Sequence, residues 1–298
     1  MKTLLVTAPM PEGYFSEAIR ALAPGLDLVE YGAGLSDAEL ADVDAVLAWR
    51  LPPGLASRLP RLRWICAVSA GVEKLLAPDL APQVMVTRIV DEEQAQGIAQ
   101  FVVMMALRHA RGLAGYEAQQ LRHEWKRQPV AVVRSVVSVL GTGAMGGVVA
   151  ALLAQVGFQV RGWNRRSEPL HEVLRDSALV VCALPLTAET AGILDARAFA
   201  CMPRGSYLIN IARGAHVVET DLIAAVRSGQ LAGAALDVQA HEPMPADDPL
   251  WDVPGISITP HIAAQSSPPT IAVQFLAGLR CVARGEVPPN TIDRSRGY

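Results

Sequence analysis

The sequence lacks the features that mark disulfide-rich and metal-binding proteins. It has only four cysteines, it has no CxxC pair, and its Cys and His residues do not cluster with the spacing of metal ligands. A disulfide framework and a structural zinc site are therefore not expected, and no metal ion is predicted. Cys66, Cys182, Cys201 and Cys281 are interpreted as small buried apolar residues.

Long apolar runs are missing as well. The longest strongly apolar stretch, Ile98 to Leu107, has about half of the roughly 20 residues that a membrane-spanning helix requires. The short apolar run at the N-terminus is interrupted by Pro9 and Pro11, so we interpret it as a strand rather than a signal peptide. The sequence predicts a cytoplasmic protein with no membrane partner.

An excess of positive charge is also absent. The formal net charge is -3, from 26 Lys and Arg against 29 Asp and Glu. Because no basic field exists to attract phosphates, no nucleic-acid partner is predicted. Apolar residues make up 51% of the chain and charged residues 18%, the reverse of the balance in a disordered protein. The 298 residues suffice for one large or two medium domains.

What the sequence does contain is a regular alternation of short apolar runs and helical patterns, which is typical of α/β proteins with parallel sheets. The six strands predicted after residue 135 form, with their helices, a doubly wound arrangement. The predicted strands are Leu4–Thr7, Ala45–Ala48, Trp64–Val68, Val136–Leu140, Gln159–Trp163, Leu179–Leu184, Ser206–Ile211, Ala232–Asp237 and Ile256–Thr259. The predicted helices are Glu92–Arg122, Ala144–Val156, Glu219–Ser228 and Pro268–Arg284.

One loop has the pattern of a dinucleotide-binding turn. Gly141-Thr142-Gly143-Ala144-Met145-Gly146 is a GxGxxG motif between a predicted strand and a predicted helix. The first glycine permits the tight turn, the second lets the backbone approach a pyrophosphate, and the third allows helix and strand to pack closely. The motif alone also fits an ordinary glycine-rich turn. Its strand–turn–helix context favours dinucleotide binding, with the phosphates at the helix N-terminus.

The end of the next predicted strand indicates which dinucleotide is preferred. The carboxylate that would bond the ribose 2′-hydroxyl of NADH is absent, and the sequence there is Asn164-Arg165-Arg166-Ser167. Two guanidinium groups and a hydroxyl can bond a 2′-phosphate. NADPH is therefore the predicted cofactor. NADH is the alternative if both arginines are merely solvated surface residues.

Three polar residues follow late predicted strands, at the edge where ligands bind in open α/β sheets. They are Arg213, Glu242 and His261. Taken singly, each also fits a role outside catalysis: Arg213 as a surface charge, Glu242 as a solvated turn residue and His261 as a loop histidine. Their joint placement after successive strands favours a catalytic set.

The motifs around these residues resemble those of the D-isomer-specific 2-hydroxyacid dehydrogenases. Within that family, the chain is most similar to the glyoxylate/hydroxypyruvate reductase A branch. The similarity covers nearly the whole chain. The NIARG, HEP and TPH motifs in that order are specific to the family. The matching segments are VSAGVEKLL, VLGTGAMG, GWNRRSE, LPLTAETAGIL, YLINIARGAHVVE, AALDVQAHEPMP, ITPHIAA and IDRSRGY.

The resemblance implies a role for each motif residue. Arg213 would bind the carboxylate and keto oxygen of a small 2-keto acid, His261 would protonate that oxygen as hydride arrives, and Glu242 would pair with His261. A guanidinium stabilises negative charge on the oxygen, and a nearby carboxylate favours the imidazolium that supplies the proton. Asp237 matches the position beside the nicotinamide carboxamide. Further cofactor contacts are expected from Leu184, Pro185, Ile211 and Ala212.

In the first part of the chain, the resemblance implies a substrate loop. Backbone N–H groups at Ala70 and Gly71 would hold the substrate carboxylate, and glycine there permits a close approach. Trp49 either closes the pocket beside this loop or belongs to the core. Arg50-Leu51 and the segment from Val130 to Ser135 do not match the family, which affects fine substrate preference rather than the class of reaction.

The architecture implied by the resemblance is two Rossmann-like doubly wound domains with parallel sheets, and an active site in the interdomain cleft. The substrate domain would comprise residues 1–92 and 267–298, and the dinucleotide domain residues 93–266. A homodimer is expected, with its contact formed by the Glu92–Arg122 helical region and the arm after it.

Two other functions remain open from the sequence. One is a dehydrogenase for another 2-hydroxy acid or a phosphonate, for which a basic cluster in the first domain would be expected; Arg58, Arg61 and Arg63 are candidates, although a solvated face explains them as well. The other is a non-catalytic, dinucleotide-sensing binding protein. The presence of Arg213, Glu242 and His261 together argues against this second alternative.

Overall fold

The computed structural model describes residues 1–32, 34–129 and 135–296. The chain forms two compact units, Met1–Asp91 with Gln265–Tyr298, and Glu92–Ala264. Each unit is built on its own parallel sheet, so the predicted α/β class with two doubly wound sheets is confirmed. Most of the unmatched segment from Val130 to Ser135 lies outside the described residues.

The first unit contains a five-stranded sheet in the order β2-β1-β3-β4-β5, with every pairing parallel. Only three of these strands were predicted, because β2 and β5 are three residues long and carry no period-2 pattern. The elements are β1 (Lys2–Val6), α1 (Ser16–Leu22), β2 (Leu28–Glu30), α2 (Asp37–Ala41), β3 (Val43–Ala48), β4 (Trp64–Ala67) and β5 (Met85–Thr87).

The second unit contains the predicted six strands in the order β11-β10-β9-β8-β6-β7, again all parallel. Their bounds agree with the predicted ones to within two residues. The elements are α3 (Glu92–Ala110), α4 (Leu113–Leu121), β6 (Val136–Leu140), α5 (Ala144–Gln155), β7 (Gln159–Trp163), α6 (Leu170–Leu174), β8 (Leu179–Cys182), α7 (Ala196–Cys201), β9 (Ser206–Asn210), α8 (Glu219–Arg227), β10 (Leu231–Leu236) and β11 (Ile256–Ile258).

The long helix predicted from Glu92 to Arg122 is two helices, and Gly112 separates them. This glycine has φ +64°, a left-handed conformation that ends α3 and that residues with a Cβ rarely adopt. The apolar spacing continues across the break, so periodicity alone could not reveal it.

The last helix, α9 (Pro268–Ala283), packs on the sheet of the first unit. Ser267 caps its N-terminus by accepting a hydrogen bond from the backbone N–H of Thr270. Phe275 stacks on Trp64 of β4, with the ring centroids 5.2 Å apart. Gly278 permits this approach, because a Cβ there would lie 2.5 Å from the Trp64 ring. The helix therefore belongs to the first unit although it lies far along the chain.

Two of the four free cysteines lie in the sheet cores. Cys66 on β4 and Cys182 on β8 are buried, and desolvation raises the pKa of each thiol to about 12. Thiolate forms only as the pH approaches the pKa, so at pH 8 about one in 10⁴ of these thiols is ionised.

We expect iodoacetamide at pH 8 to leave Cys66 and Cys182 unmodified until the protein unfolds, and to modify the partly exposed Cys201 and Cys281 first. Peptide mass spectrometry checks this expectation, which native labelling at Cys66 or Cys182 would contradict.

Candidate active site

The residues predicted to form the site follow the carboxyl ends of neighbouring strands in the second unit. The last residues of all six strands pair laterally, so the loops that follow them start from one row. That row runs Trp163, Leu140, Cys182, Asn210, Leu236, Ile258. The sheet therefore aligns the predicted cofactor and catalytic positions along one edge, where ligands bind in open parallel sheets.

The glycine motif after β6 has the geometry expected of a phosphate-binding turn. Gly141 has φ +96°, and a Cβ there would lie 2.5 Å from the carbonyl oxygen of Ala183. A Cβ on Gly146 would lie 1.7 Å from the carbonyl oxygen of Gly141. Around Gly143, by contrast, a Cβ would meet nothing within 4 Å. The protein itself thus requires glycine at positions 141 and 146, whereas Gly143 borders open space that a ligand can enter.

The first turn of α5 adds an anion-binding surface to this loop. Gly143 is the N-cap residue and supplies no side-chain hydrogen bond to the helix. The backbone N–H groups at the start of the helix, together with the positive end of its dipole, favour a phosphate there. Exposed Ala144 and half-buried Met145 place no charged side chain in this turn. These residues fit the pyrophosphate of a dinucleotide.

The segment after β7 is a hydrogen-bonded turn that carries the two predicted arginines. Asn164 Oδ1 accepts from the N–H of Arg166 at 2.9 Å, and Ser167 Oγ accepts from the N–H of Asn164 at 3.2 Å. All four residues of the turn are exposed. The guanidinium of Arg165 forms an ion pair with Glu189, which lies after β8. The turn presents two cations at the place where a ribose phosphate was predicted to bind.

His261 and Glu242 form the pair that the sequence predicted. His261 Nδ1 lies 3.1 Å from Glu242 Oε2, and the two side chains are 31% and 25% exposed. Since an ionised carboxylate only accepts hydrogen bonds, a proton on Nδ1 satisfies this contact, and Nε2 is the ring nitrogen that does not face Glu242. Glu242 Oε1 accepts from the N–H of Gln239 at 3.2 Å, which fixes the carboxylate in turn. In its protonated form, the imidazole can donate a proton from Nε2 while the contact between Nδ1 and Glu242 keeps the ring oriented.

The backbone of His261 is left-handed, with φ +54°, and Asp237 holds it there. Asp237 is 1% exposed. Its Oδ1 accepts from the N–H of Ile262 at 2.9 Å and the hydroxyl of Thr259 at 2.6 Å. Its Oδ2 accepts from the N–H of Ala263 at 3.0 Å. The carboxylate therefore clamps the loop that carries the imidazole, a role that the sequence did not reveal; the predicted contact with the nicotinamide stays a prediction.

Arg213 lies three residues after the end of β9, on a segment that two fully buried side chains hold in place. Asn210 Nδ2 donates to the carbonyl oxygen of Arg213 at 2.9 Å, and Asn210 Oδ1 accepts from the N–H of Ala212 at 3.1 Å. The Nδ1 of His216 lies 3.3 Å from the N of Arg213, and its Nε2 lies 3.3 Å from the carbonyl oxygen of Pro185. The histidine thus links the Arg213 segment to the Leu184–Pro185 loop after β8.

Sequence reasoning missed Asn210, His216, Thr259 and Gln239, all of which position other residues. Asn210, at the end of an apolar strand, and His216, three residues after Arg213, were visible only as polar residues near a motif. Their hydrogen bonds go mainly to backbone atoms. A sequence pattern carries no signal for such bonds, because any nearby backbone group can be the partner.

The residues predicted to contact substrate in the first unit lie around the end of β4. In the loop that holds Ala70, the Ser69 hydroxyl donates to the carbonyl oxygen of Gly71 at 2.8 Å. Trp49 is half-buried and packs against the hydrophobic core of the first unit, as expected of a core residue. Lys74 Nζ lies 5.3 Å from the centroid of the Trp49 ring.

None of the helices in the described ranges combines the length and the hydropathy that a membrane span requires. No group of three or more His, Cys, Asp or Glu side chains in the described ranges could hold a metal ion.

Comparison with known proteins links these features to a family. Residues 103–263 match the NAD-binding domain of the D-isomer specific 2-hydroxyacid dehydrogenases. The glyoxylate/hydroxypyruvate reductase A of Yersinia enterocolitica is 34% identical over 274 residues, covering 86% of this chain and 88% of the relative.

Two solved structures are similar over the full length of the chain. The D-isomer specific 2-hydroxyacid dehydrogenase of Xanthobacter autotrophicus Py2, in complex with NADPH and MES, has a TM-score of 0.91 at 36% identity and covers 100% of this chain and 99% of its own. The NADPH-dependent glyoxylate/hydroxypyruvate reductase of Sinorhizobium meliloti, in complex with NADP and sulfate, has a TM-score of 0.91 at 30% identity with the same coverage.

Proposed function

Because the chain belongs to the D-isomer specific 2-hydroxyacid dehydrogenase family, we propose that it reduces small 2-keto acids, such as glyoxylate and hydroxypyruvate, to 2-hydroxy acids. NADPH is the preferred hydride donor, and NADH is the weaker one. The observation that carries the proposal is the His261–Glu242 pair on the strand edge that also holds the glycine loop and Arg213. The names and ligands of the similar proteins support the same reaction and cofactor.

The mechanism follows from the charge that develops on the substrate. When bound, NADPH would supply the hydride that the carbonyl carbon accepts. The π electrons of the carbonyl bond then move to oxygen, and Arg213 stabilises the negative charge that develops there. The imidazolium of His261 gives that oxygen the proton on Nε2 and becomes a neutral imidazole that keeps the proton on Nδ1, so the product is an alcohol. Glu242, by accepting from Nδ1, keeps the ring oriented for this transfer.

The same proposal assigns the other predicted contacts. Asp237 lies beside the nicotinamide carboxamide, Gly141 to Gly146 contact the pyrophosphate, and further cofactor contacts come from Leu184, Pro185, Ile211 and Ala212. In the first unit, the backbone N–H groups of Ala70 and Gly71 bind the substrate carboxylate, with Trp49 beside them. Support comes from the placement of the second-unit residues along the strand row.

A phosphate-bearing substrate is less well supported. Arg58 is paired with Asp37, Arg61 with Asp42 and Asp44, and Arg63 donates to the carbonyl oxygen of Val282 at 2.8 Å. The three arginines are thus engaged in contacts within the first unit, which favours the solvated-face interpretation over a phosphate site.

The test of the reaction is the oxidation of NADPH, followed by its near-ultraviolet absorbance, with glyoxylate and hydroxypyruvate as substrates. Turnover with either acid supports the proposal. Tight binding of NADPH without turnover of any small 2-keto acid would instead favour a larger substrate or a dinucleotide sensor.

Removing the cations after β7 is expected to change the cofactor preference. A charge-assisted hydrogen bond contributes about 1.5–3 kcal/mol, so Arg165→Ala or Arg166→Ala should lower kcat/KM with NADPH by about 10- to 100-fold. The value with NADH should change little. Arg175→Ala, which removes an exposed arginine paired with Glu172, is the matched control. Equal losses with both cofactors would contradict the assignment.

We also propose a homodimer formed through α3, α4 and the arm that follows. Apolar side chains are exposed there: Met104 53%, Leu113 46%, Leu121 86% and Trp125 94%. Such a concentration of exposed apolar surface is typical of an interface. Sedimentation should give twice the chain mass of 31.7 kDa, and Leu121→Glu with Trp125→Glu should give the monomer. Val287→Glu, exposed on the first unit, should leave the dimer intact.

The proposed location is the cytoplasm. All four cysteines are free, which is the usual state in a reducing compartment.

A further inference from the structure

We propose that Glu189 is a specificity-determining residue that tunes how strongly the enzyme selects a 2′-phosphorylated cofactor. Its carboxylate pairs with the guanidinium of Arg165, one of the two cations assigned to the 2′-phosphate. Glu189 therefore competes with that phosphate for the arginine. This inference rests on the proposed preference for NADPH and adds a residue that opposes it.

The position of the pair in the sheet supports the competition. In the strand order, β6 lies between β8 and β7. Glu189 follows β8, Arg165 follows β7, and the glycine loop follows β6. The ion pair thus joins the two loops that flank the phosphate-binding turn. A phosphate that takes the Arg165 guanidinium has to do so in the presence of this carboxylate.

Glu189 is presented by an ordered turn rather than by a freely moving loop. The Thr190 hydroxyl donates to the carbonyl oxygen of Pro185 at 2.7 Å and accepts from the N–H of Thr187 at 2.9 Å. The N–H of Thr190 donates to the carbonyl oxygen of Thr187 at 3.1 Å. Thr190 is 4% exposed. The turn therefore holds the backbone of Glu189 at a fixed place opposite Arg165.

The pair itself is easily displaced. The side chains of Arg165 and Glu189 are 48% and 65% exposed, and ion pairs between exposed side chains add little net stability. A phosphate dianion, with more charge and more acceptor oxygens than a carboxylate, can take over the guanidinium. The displaced carboxylate stays close, so it repels the phosphate through a Coulomb term that salt screens.

Glu189→Gln removes the charge while keeping the size and hydrogen-bonding capacity of the side chain. Without the competing carboxylate, binding of a 2′-phosphorylated nucleotide should become about two- to fivefold tighter. A nucleotide without the 2′-phosphate should bind as before. The gain should shrink at high salt, and it should be smaller in the Arg165→Ala background, where no guanidinium is left to compete for and only the direct repulsion of the phosphate by the carboxylate is removed.

The experiment is titration calorimetry of the full-length protein with 2′,5′-ADP and with 5′-AMP, at low and high salt. The variants are Glu189→Gln, Arg165→Ala, the double variant, and Glu172→Gln as a control that removes another exposed carboxylate paired with an arginine. Thermal unfolding of each variant verifies that the fold is intact. No turnover is needed, so the result does not depend on the identity of the keto acid.

Tighter binding of 2′,5′-ADP to Glu189→Gln alone, with 5′-AMP unchanged, is the expected result. If the wild type prefers 2′,5′-ADP but Glu189→Gln binds it equally or more weakly, Glu189 does not compete and the inference fails while the proposed cofactor stands. If the wild type does not distinguish the two nucleotides, the preference for NADPH fails and the inference fails with it.

Discussion

Replacement of His261 with asparagine is expected to lower kcat by about 10²- to 10⁴-fold, the usual contribution of a general acid. Without the imidazole, no oriented group delivers a proton to the oxygen as hydride adds to the carbonyl carbon. Asparagine is a better replacement than alanine because asparagine tolerates a left-handed backbone, and His261 has φ +54°. The loop should therefore keep its shape while the proton donor is lost.

The measurement is kcat with saturating glyoxylate or hydroxypyruvate, beside calorimetric binding of NADPH. Binding should stay within about twofold of the wild type, since the histidine is not assigned to the cofactor phosphates. His171→Asn is the matched control, because His171 also lies beside a carboxylate, that of Glu172, but on the surface at α6. A His261→Asn enzyme that turns over normally would remove this residue from the mechanism.

Alanine at Gly146 is expected to prevent the second unit from folding properly. Its Cβ would lie 1.7 Å from the carbonyl oxygen of Gly141, and two backbone segments would have to separate to admit it. Overpacking of this kind costs about 1–3 kcal/mol when side chains can adjust, and more when backbone has to move. Thermal unfolding should show a large loss of stability, or the variant should fail to accumulate as soluble protein.

The same loop offers two controls for this substitution. Gly147 is exposed within α5, and its added Cβ would meet only the carbonyl oxygen of Thr142, at 4.0 Å. Gly147→Ala should therefore be neutral or stabilising by about 0.5–1 kcal/mol, the helix preference of alanine over glycine.

Gly143 separates folding from binding. Its added Cβ would meet nothing within 4 Å and its φ is -75°, so Gly143→Ala should unfold like the wild type. It should nevertheless bind NADPH at least about tenfold more weakly, because the methyl group occupies the space assigned to the pyrophosphate. Equal effects of alanine at positions 143, 146 and 147 would contradict this account of the loop.

The sequence predicted the strands of the second unit well because four of the six are largely buried and apolar and strong turn signals separate them. The strands Val136–Leu140 and Gln159–Trp163 were predicted with the bounds that the structure has. The first unit was predicted less completely, since β2 and β5 are too short to carry a pattern. The break at Gly112 was missed because the apolar spacing of α3 and α4 continues through it.

The pair of Glu242 and His261 was predictable for a different reason. Glu242 and His261 lie in motifs whose order along the chain is distinctive, and the structure brings them to 3.1 Å. The residues that hold them were not predictable. Asp237 was assigned to the cofactor from the resemblance, yet both of its oxygens bond the His261 loop. Glu189 was one acidic residue of an exposed turn, and only the three-dimensional structure places it on Arg165.

The bonds from Asp237 to the loop after β11 allow the position of His261 and the side chains around it to evolve separately. At Ile262 and Ala263 the carboxylate grips backbone N–H groups, which every amino acid except proline supplies. The side chain of Ile262 is 55% exposed and takes no part in the clamp. Substitutions at these two positions can therefore alter the surface beside His261 one side chain at a time while the backbone keeps its place. A lineage built on this loop can vary that surface without displacing the imidazole that we propose as the proton donor.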